Sequence, residues 1–324
     1  MSELTGQVSR GINNIFTVLS GGESYQCRIW GKQLKEITGE YNPLAVGDYV
    51  RFSPTGAREG MISERLERHS SFTRWNAKGG VNQTVVANMD LVVCITSCDN
   101  PPFRPRFVDR VIACCDNVPV MIVLNKSDIG ISSFERKRFK LYKELGYQIL
   151  EVSGVTGKNL KRLAKVAQGK TVAFVGQSGV GKSTLINELL GSDQRTAEVC
   201  EKYNRGRHTT NHALLLEGPE YRIVDTPGVR EIMVPHTDKR DLFKAFPEFA
   251  AYSGMCAFDP CFHDEEPDCM VKLAVEAEKI DSDRYESYLR MVYSLSEKDP
   301  EWMGKGESSA RWRRRGESDE REEY

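Results

Sequence analysis

The chain has 324 residues, of which 40% are hydrophobic and 28% charged, with a formal net charge of −1 and nine cysteines. That length is too great for one ordinary core, so two or three domains are expected. No apolar run approaches the roughly 20 residues of a membrane helix, and the balanced charge excludes a global basic field, leaving only local patches for nucleic acid. An odd cysteine count and a start without basic and apolar leader regions predict a cytoplasmic protein with reduced thiols and no membrane association.

Residues 1–73 carry short apolar segments, 15–19 and 25–30 among them. Turn residues separate these segments: Gly21-Gly22, Gly31, Gly39, Asn42-Pro43, Gly47-Asp48 and Pro54-Thr55-Gly56. Short strands at near-regular spacing predict a small all-β barrel. Over residues 1–75, nine Lys/Arg face eight Asp/Glu, which permits nucleic-acid binding without requiring it. Arg74, Gly79 and Gly80 make 74–80 read as a linker, with RNA contact a further role open to it. Beyond it, residues 91–96, 118–124 and 171–175 are compact apolar runs, with helical patterns over 133–145 and 159–167 between them. Buried strands alternating with helices predict an α/β unit with a mostly parallel sheet covered on both faces.

Asn125-Lys126-Ser127-Asp128 follows the second of these runs, and ligands of open α/β sheets bind beyond the carboxyl ends of strands. The Asp128 carboxylate can accept from both the N1–H and the 2-amino group of guanine. Adenine offers no such donor pair, and a carboxylate left unpaired weakens binding. Asn125 is expected to brace the loop, and the Lys126 stem to cover the ring face. Ser153-Gly154-Val155-Thr156-Gly157 ends another apolar strand and can present backbone N–H to the guanine O6.

The strongest signal is Gly176-Gln177-Ser178-Gly179-Val180-Gly181-Lys182-Ser183-Thr184, between an apolar strand and a helical segment at 185–190. Glycines let backbone N–H groups curl around a β-phosphate, and the helix adds its positive N-terminus. Lys182 supplies charge to the β- and γ-phosphates, and Ser183 offers a hydroxyl to Mg²⁺. In Arg205-Gly206-Arg207-His208-Thr209-Thr210, either Thr209 or Thr210 supplies the second Mg²⁺ hydroxyl. Asp225-Thr226-Pro227-Gly228 follows a strand at 221–224; Asp225 can hold Mg²⁺ through water, and the Gly228 N–H can sense a γ-phosphate. The next residue is Val229, which cannot orient a water, so His208 is the expected catalytic group, with Arg207 or a group supplied in trans as alternatives.

From about residue 241 the pattern turns helical and contains Cys256, Cys261, His263 and Cys269. Three thiolates and one imidazole make a closed tetrahedral shell for structural Zn²⁺, with no position left for an activated water. The cysteines at 27, 94, 98, 114, 115 and 200 read as buried thiols. Residues 304–324 are polar and expected to be disordered. Within them Arg311-Trp312-Arg313-Arg314-Arg315 suits phosphate contact and stacking, but five following acids cancel its charge. RNA contact and a merely solvated tail both remain open there.

The motif order is unusual. Base-reading elements precede the phosphate loop, and the two switch segments follow it, which is a rotation of the order in ordinary small GTPases. With the barrel in front and the Cys/Cys/His/Cys cluster behind, this set resembles the bacterial RsgA family of small-ribosomal-subunit biogenesis GTPases, whose GTPase motifs are circularly permuted. The resemblance spans nearly the whole chain. It implies an OB-fold RNA-binding domain over 1–73, a permuted P-loop GTPase domain over 74–238, a helical zinc-binding domain over 239–303 and a tail over 304–324. It further implies a monomeric GTP hydrolase acting late in 30S subunit maturation, binding 16S rRNA, with ribosome-stimulated turnover. The implied cofactors are GTP/GDP, Mg²⁺ and one structural Zn²⁺. The family's switch histidine falls on His208, and its zinc ligands on Cys256, Cys261, His263 and Cys269. The ending after Gly304 departs from the family pattern.

Overall fold

In the computed structural model, which describes residues 3–31, 34, 40–191, 213–228, 232–296 and 313–314, five strands close the predicted barrel. They are β1 (Leu4–Ile12), β2 (Ile15–Ser20), β3 (Glu23–Ile29), β4 (Tyr49–Gly56) and β5 (Glu59–Arg65). The order is β1-β2-β3-β5-β4, with β3 and β5 parallel and β4 returning antiparallel to β1. Asn13 and Asn14, both at positive φ, turn β1 into β2, as a two-residue hairpin demands. Val8, Phe16, Val18, Val50, Phe52 and Ile62 fill the interior; fully burying each such side chain contributes about 1.5–3 kcal/mol.

The stretch 74–80 is not a linker. It is the tip of a hairpin between β6 (Ser71–Asn76) and β7 (Val81–Ala87). Asn76 Oδ1 accepts from the N–H groups of Lys78 at 3.1 Å and Gly79 at 3.2 Å, an Asx-type turn. Turn residues cluster at this tip and mask the alternation of the flanking strands. Arg68 ties the hairpin to the barrel. It donates to the buried Asp48 at 2.7 and 2.8 Å, to Glu40 at 3.0 Å and to Thr84 of β7 at 3.0 Å.

Next come β8 (Leu91–Ser97), α1 (Pro105–Ala113), β9 (Cys115–Asp116), β10 (Val120–Asn125), α2 (Ser133–Glu144), β11 (Gln148–Glu151) and α3 (Leu160–Ala167). They are followed by β12 (Thr171–Gly176), α4 (Lys182–Leu190), β13 (Leu214–Glu217) and β14 (Arg222–Asp225). Short β9 extends the hairpin into a three-stranded sheet. The other strands form a six-stranded sheet ordered β11-β10-β8-β12-β14-β13, parallel except for the edge strand β13. Every residue of β8 and β12 is buried, as central parallel strands covered on both faces require. Helix α2 starts with a capping box. The Ser132 hydroxyl accepts from Glu135 N, and Glu135 accepts from Ser132 N at 2.6 Å; such a cap contributes about 1 kcal/mol. Because the five parallel strands share one direction, their carboxyl ends, and the loops that follow, lie along one edge of the sheet.

Barrel and sheets belong to one compact unit, residues 1–235; residues 236–324 form a second. The second unit is helical, with helices Ala250–Ser253, Met270–Glu276 and Ser282–Ser296 after two 3₁₀ segments. Phe246, Phe249 and Tyr288 form its aromatic core, and the buried Arg284 donates to Glu248 at 2.8 and 3.1 Å. In the segment expected to be disordered, Arg313–Arg314 (β16) pairs antiparallel with Phe258–Asp259 (β15); the rest of 304–324 lies outside the described residues. Among the described residues no helix is long and apolar enough to cross a membrane.

Candidate nucleotide site and cysteine cluster

Five loops leave the carboxyl edge of the parallel sheet. Asn125 ends β10 and joins three of them. Its Nδ2 donates to Val180 O at 2.9 Å in the 176–181 loop, and its Oδ1 accepts from Gly154 N at 3.1 Å in the 153–157 loop. Packing there is close enough to dictate glycine. A Cβ on Gly181 (φ +90°) would collide with Asn125 Nδ2, one on Gly176 would lie 2.5 Å from Ile95 O, and one on Gly154 would lie 3.0 Å from Thr184 Cγ2. Gly181 also serves as the left-handed N-cap of α4. The 176–181 turn therefore delivers the chain directly into a helix N-terminus, with its amides and partial positive charge turned toward the loop.

Lys182 opens α4 and is only 8% exposed. Its Nζ donates to Gly176 O at 3.0 Å. Burial pushes its ammonium below the usual lysine range, against the pull of Asp225. Gly228 stands beside it, since a Cβ there would be 3.1 Å from Lys182 Nζ and 3.4 Å from Ser178 N. The end of β14 and the 176–181 loop thus meet at one buried cation. Thr226 fastens this end, its Oγ1 donating to Phe174 O at 2.7 Å. Asp128 is exposed at the tip of the β10 loop. A hydrogen bond from Ser153 holds its carboxyl below the usual carboxylate range, helped by a backbone N–H and by Lys158 and Lys126. The same Ser153 hydroxyl accepts from Thr156 N at 3.1 Å.

In the second unit, Cys256, Cys261, His263 and Cys269 are all buried, with their ligand atoms within 4.8 Å of one another. His263 Nδ1 faces the sulfurs at 3.6, 3.3 and 3.4 Å. Crowding splits the thiols. Hydrogen bonding from Cys261 is the main reason the Cys269 thiol is pushed down to about 4, while the same bond and burial push Cys261 up. Glu266 braces the loop, accepting from Phe262 N and Asp264 N, both at 2.8 Å, on either side of His263. Tyr285 and Tyr288 donate to His263 O at 2.7 Å and Phe262 O at 2.6 Å. Three soft sulfurs and an imidazole nitrogen converging on one point are the donor set of a closed zinc shell.

Two family models match the chain: the RsgA N-terminal domain over residues 5–62 and the RsgA GTPase over residues 65–235. The chain belongs to the RsgA GTPase family. It is 36% identical over 301 residues to a Borrelia garinii subsp. bavariensis protein and 38% identical over 309 residues to one from Chlorobaculum parvum, both named small ribosomal subunit biogenesis GTPase RsgA. The alignments cover 91% of this chain in each case, and 97% and 99% of the relatives. The crystal structure of YjeQ from Thermotoga maritima superposes with a TM-score of 0.68 at 29% identity, covering 91% of this chain and 99% of that one. YloQ, a circularly permuted GTPase, shares the fold at a TM-score of 0.66 and 24% identity. The circular permutation of YloQ is the connectivity expected here from motif order, and as a member of the RsgA GTPase family the chain is a GTP hydrolase.

The RsgA-family fold brings together Asn125, Gly154, Gly176, Val180, Gly181, Lys182, Asp225 and Gly228, with Lys126, Ser127, Asp128, Ser153, Gln177, Ser178, Gly179, Ser183 and Thr184 on the same loops. His208, Thr209, Thr210, Arg207 and Val229 lie outside the described residues. Cys27, Cys94 and Cys114 are buried as expected, whereas Cys98, just past β8, and Cys115, which opens β9, are half-buried; Cys200 lies outside the described residues. The loop after β8, residues 98–101, carries no nucleotide motif, and in the sequence Pro101-Pro102 signals only a turn. Glu266, Tyr285 and Tyr288 are likewise without a motif: Glu266 caps two amides of its own loop, and the tyrosines reach that loop from the helix Ser282–Ser296.

Proposed function

We propose that this chain is a cytoplasmic, monomeric GTPase that acts in late maturation of the small (30S) ribosomal subunit, binding 16S rRNA and turning over GTP faster on the subunit. The observation that carries the reading is the convergence of the 125–128, 153–157, 176–184 and 225–228 loops through Asn125 and Lys182. The relatives' shared name supplies the biological setting.

In this reading the Asp128 carboxylate, which also takes a hydrogen bond from Ser153, accepts from the guanine N1–H and 2-amino group. Asn125, Lys126 and Ser127 hold that loop under the base, and the Ser153-Gly154 backbone faces O6. The backbone of Gly176, Gln177, Ser178, Gly179, Val180 and Gly181 cradles the β-phosphate, with the Lys182 ammonium on the β- and γ-oxygens. Mg²⁺, when bound, neutralises charge developing on the phosphates. Ser183, Thr209 or Thr210, and Asp225 through water are the residues that would hold it, while Thr184 packs against the Gly154 loop. Phosphates restore the proton affinity that burial removes from Lys182. His208 orients the attacking water, as Val229 cannot. Cys256, Cys261, His263 and Cys269 would hold one structural Zn²⁺. The barrel and the zinc unit provide RNA-facing surfaces, and the 1–73, 74–238 and 239–303 segments divide these tasks.

The test is GTP turnover by the full chain with and without purified 30S subunits, with tRNA and free rRNA as alternatives. A rate raised at least about tenfold by subunits alone is expected, and His208→Ala should abolish that gain. Equal stimulation by tRNA, or none by subunits, would overturn the ribosomal reading. A wild-type rate for His208→Ala on the subunit would remove the histidine from the mechanism.

A further inference from the structure

The loop after β8 touches both halves of the nucleotide site without belonging to any of its motifs. Ser97, the last residue of β8, is wholly buried. Its hydroxyl donates to Asp99 O at 2.8 Å and Pro101 O at 2.6 Å, a three-centre bond that folds residues 98–101 back on the strand end. The folded loop presents three contacts. Asn100 O accepts from Lys126 Nζ at 2.6 Å. Pro101 Cδ lies 3.3 Å from where a Cβ on Gly179 would stand. The Cys98 thiol faces Asn125 O at 3.8 Å.

Lys126 itself sits at φ +59°, a left-handed conformation that a non-glycine residue keeps only when its surroundings hold it. A lysine stem otherwise samples many rotamers, and ordering it during binding weakens affinity. A loop that already grips the ammonium removes that loss before nucleotide arrives.

We propose that Ser97 is a positioning residue for guanine-nucleotide binding: its hydroxyl shapes loop 98–101 so that Asn100 O fixes Lys126 and Pro101 supports Gly179 of the phosphate loop. The proposal rests on the base-reading role of residues 125–128. Ser97 is buried beneath the loop and touches no reacting atom in this account, so it acts on binding and not on the chemical step. Its loss should raise nucleotide dissociation and KM together and leave kcat in place.

The experiment uses the full chain and a fluorescently labelled GDP. Ser97→Ala is expected to release GDP about tenfold faster and to raise KM for GTP by a similar factor, with kcat within about twofold of wild type. Ser97→Thr keeps the hydroxyl and should stay within about threefold of wild type. In a double-mutant cycle with Lys126→Met, the two changes should be strongly non-additive, because removing the ammonium removes most of what Ser97 positions. If Ser97→Ala does not fold, Pro101→Ala reads the same loop with the same expected increase in release. An unchanged release rate, a fall in kcat at constant KM, or full additivity with Lys126→Met would overturn the proposal. Asp128→Asn separates this from failure of the base reading: if it leaves the preference for guanine intact, residues 125–128 do not read the base, whatever Ser97 does.

Discussion

The nucleotide edge collects residues from five strand ends spread over positions 97–228, whereas the cysteine cluster takes four ligand atoms from residues 256–269. At the edge, position comes from the sheet: parallel strands aim five loops one way, and Asn125 ties three of them, donating to Val180 O and accepting from Gly154 N. In the cluster, position comes from local clamps, and the groups brought together repel one another once ionised. The difference lies in what maintains each site. The loops of the edge are held by bonds of their own fold, while three crowded thiols and an imidazole form a donor set whose charge a bound cation would neutralise.

Removing metal should therefore have the largest effect and confine it to one unit. Stripping the full chain with a chelator, or substituting Cys261→Ser, is expected to abolish hydrogen-exchange protection across 256–295, since structural zinc contributes about 10–16 kcal/mol to folding its shell. Retained protection would mean that the clamps by Glu266, Tyr285 and Tyr288 suffice without metal. At the edge, Lys182→Ala should leave the fold intact and lower kcat/KM for GTP by about a thousandfold, as loss of a buried charge at a phosphate does. A matching collapse of the circular dichroism spectrum would show that the edge is no more preformed than the cluster.

Asp128→Asn should act more narrowly, weakening GDP binding by about a hundredfold while improving binding of xanthine nucleotide, whose base presents the complementary pattern. The smallest effect is expected from pH. Ser153 holds the Asp128 carboxyl below its ordinary range, so GDP affinity is lost only as pH falls through that depressed value, well into the acid range. Ser153→Ala removes the largest cause of the depression, so the acid limb of GDP binding should move to higher pH. Titration of affinity between acidic and neutral pH checks the direction.

Much of this division was readable from the chain. In the proposed reading, Gly176–Ser183 and Asn125–Asp128 announce themselves because phosphate and guanine would constrain residue type at each position, and the spacing of Cys256, Cys261, His263 and Cys269 would do the same for a metal. The barrel was readable from turn residues between short strands. What escaped was whatever has no residue-type signature of its own. The 74–80 stretch reads as a linker because Gly79 and Gly80 dominate it, yet β6 and β7 flank it and Arg68 ties that hairpin to Asp48. Ser97 carries no motif, since its task is to bond two carbonyls of its own loop. Glu266 stands among acidic neighbours and is distinguished only by burial and by the two amides it caps.

The central claim is that residues 125–128 and 176–184 grip two ends of one guanine nucleotide, and a crystal structure of the chain with GDP tests it most directly. The account predicts the guanine N1 and 2-amino nitrogens within hydrogen-bond distance of the Asp128 carboxylate, while the pyrophosphate lies against Lys182 and the 176–181 amides. A nucleotide whose base edge faces away from Asp128, or whose phosphates lie outside that loop, would contradict it.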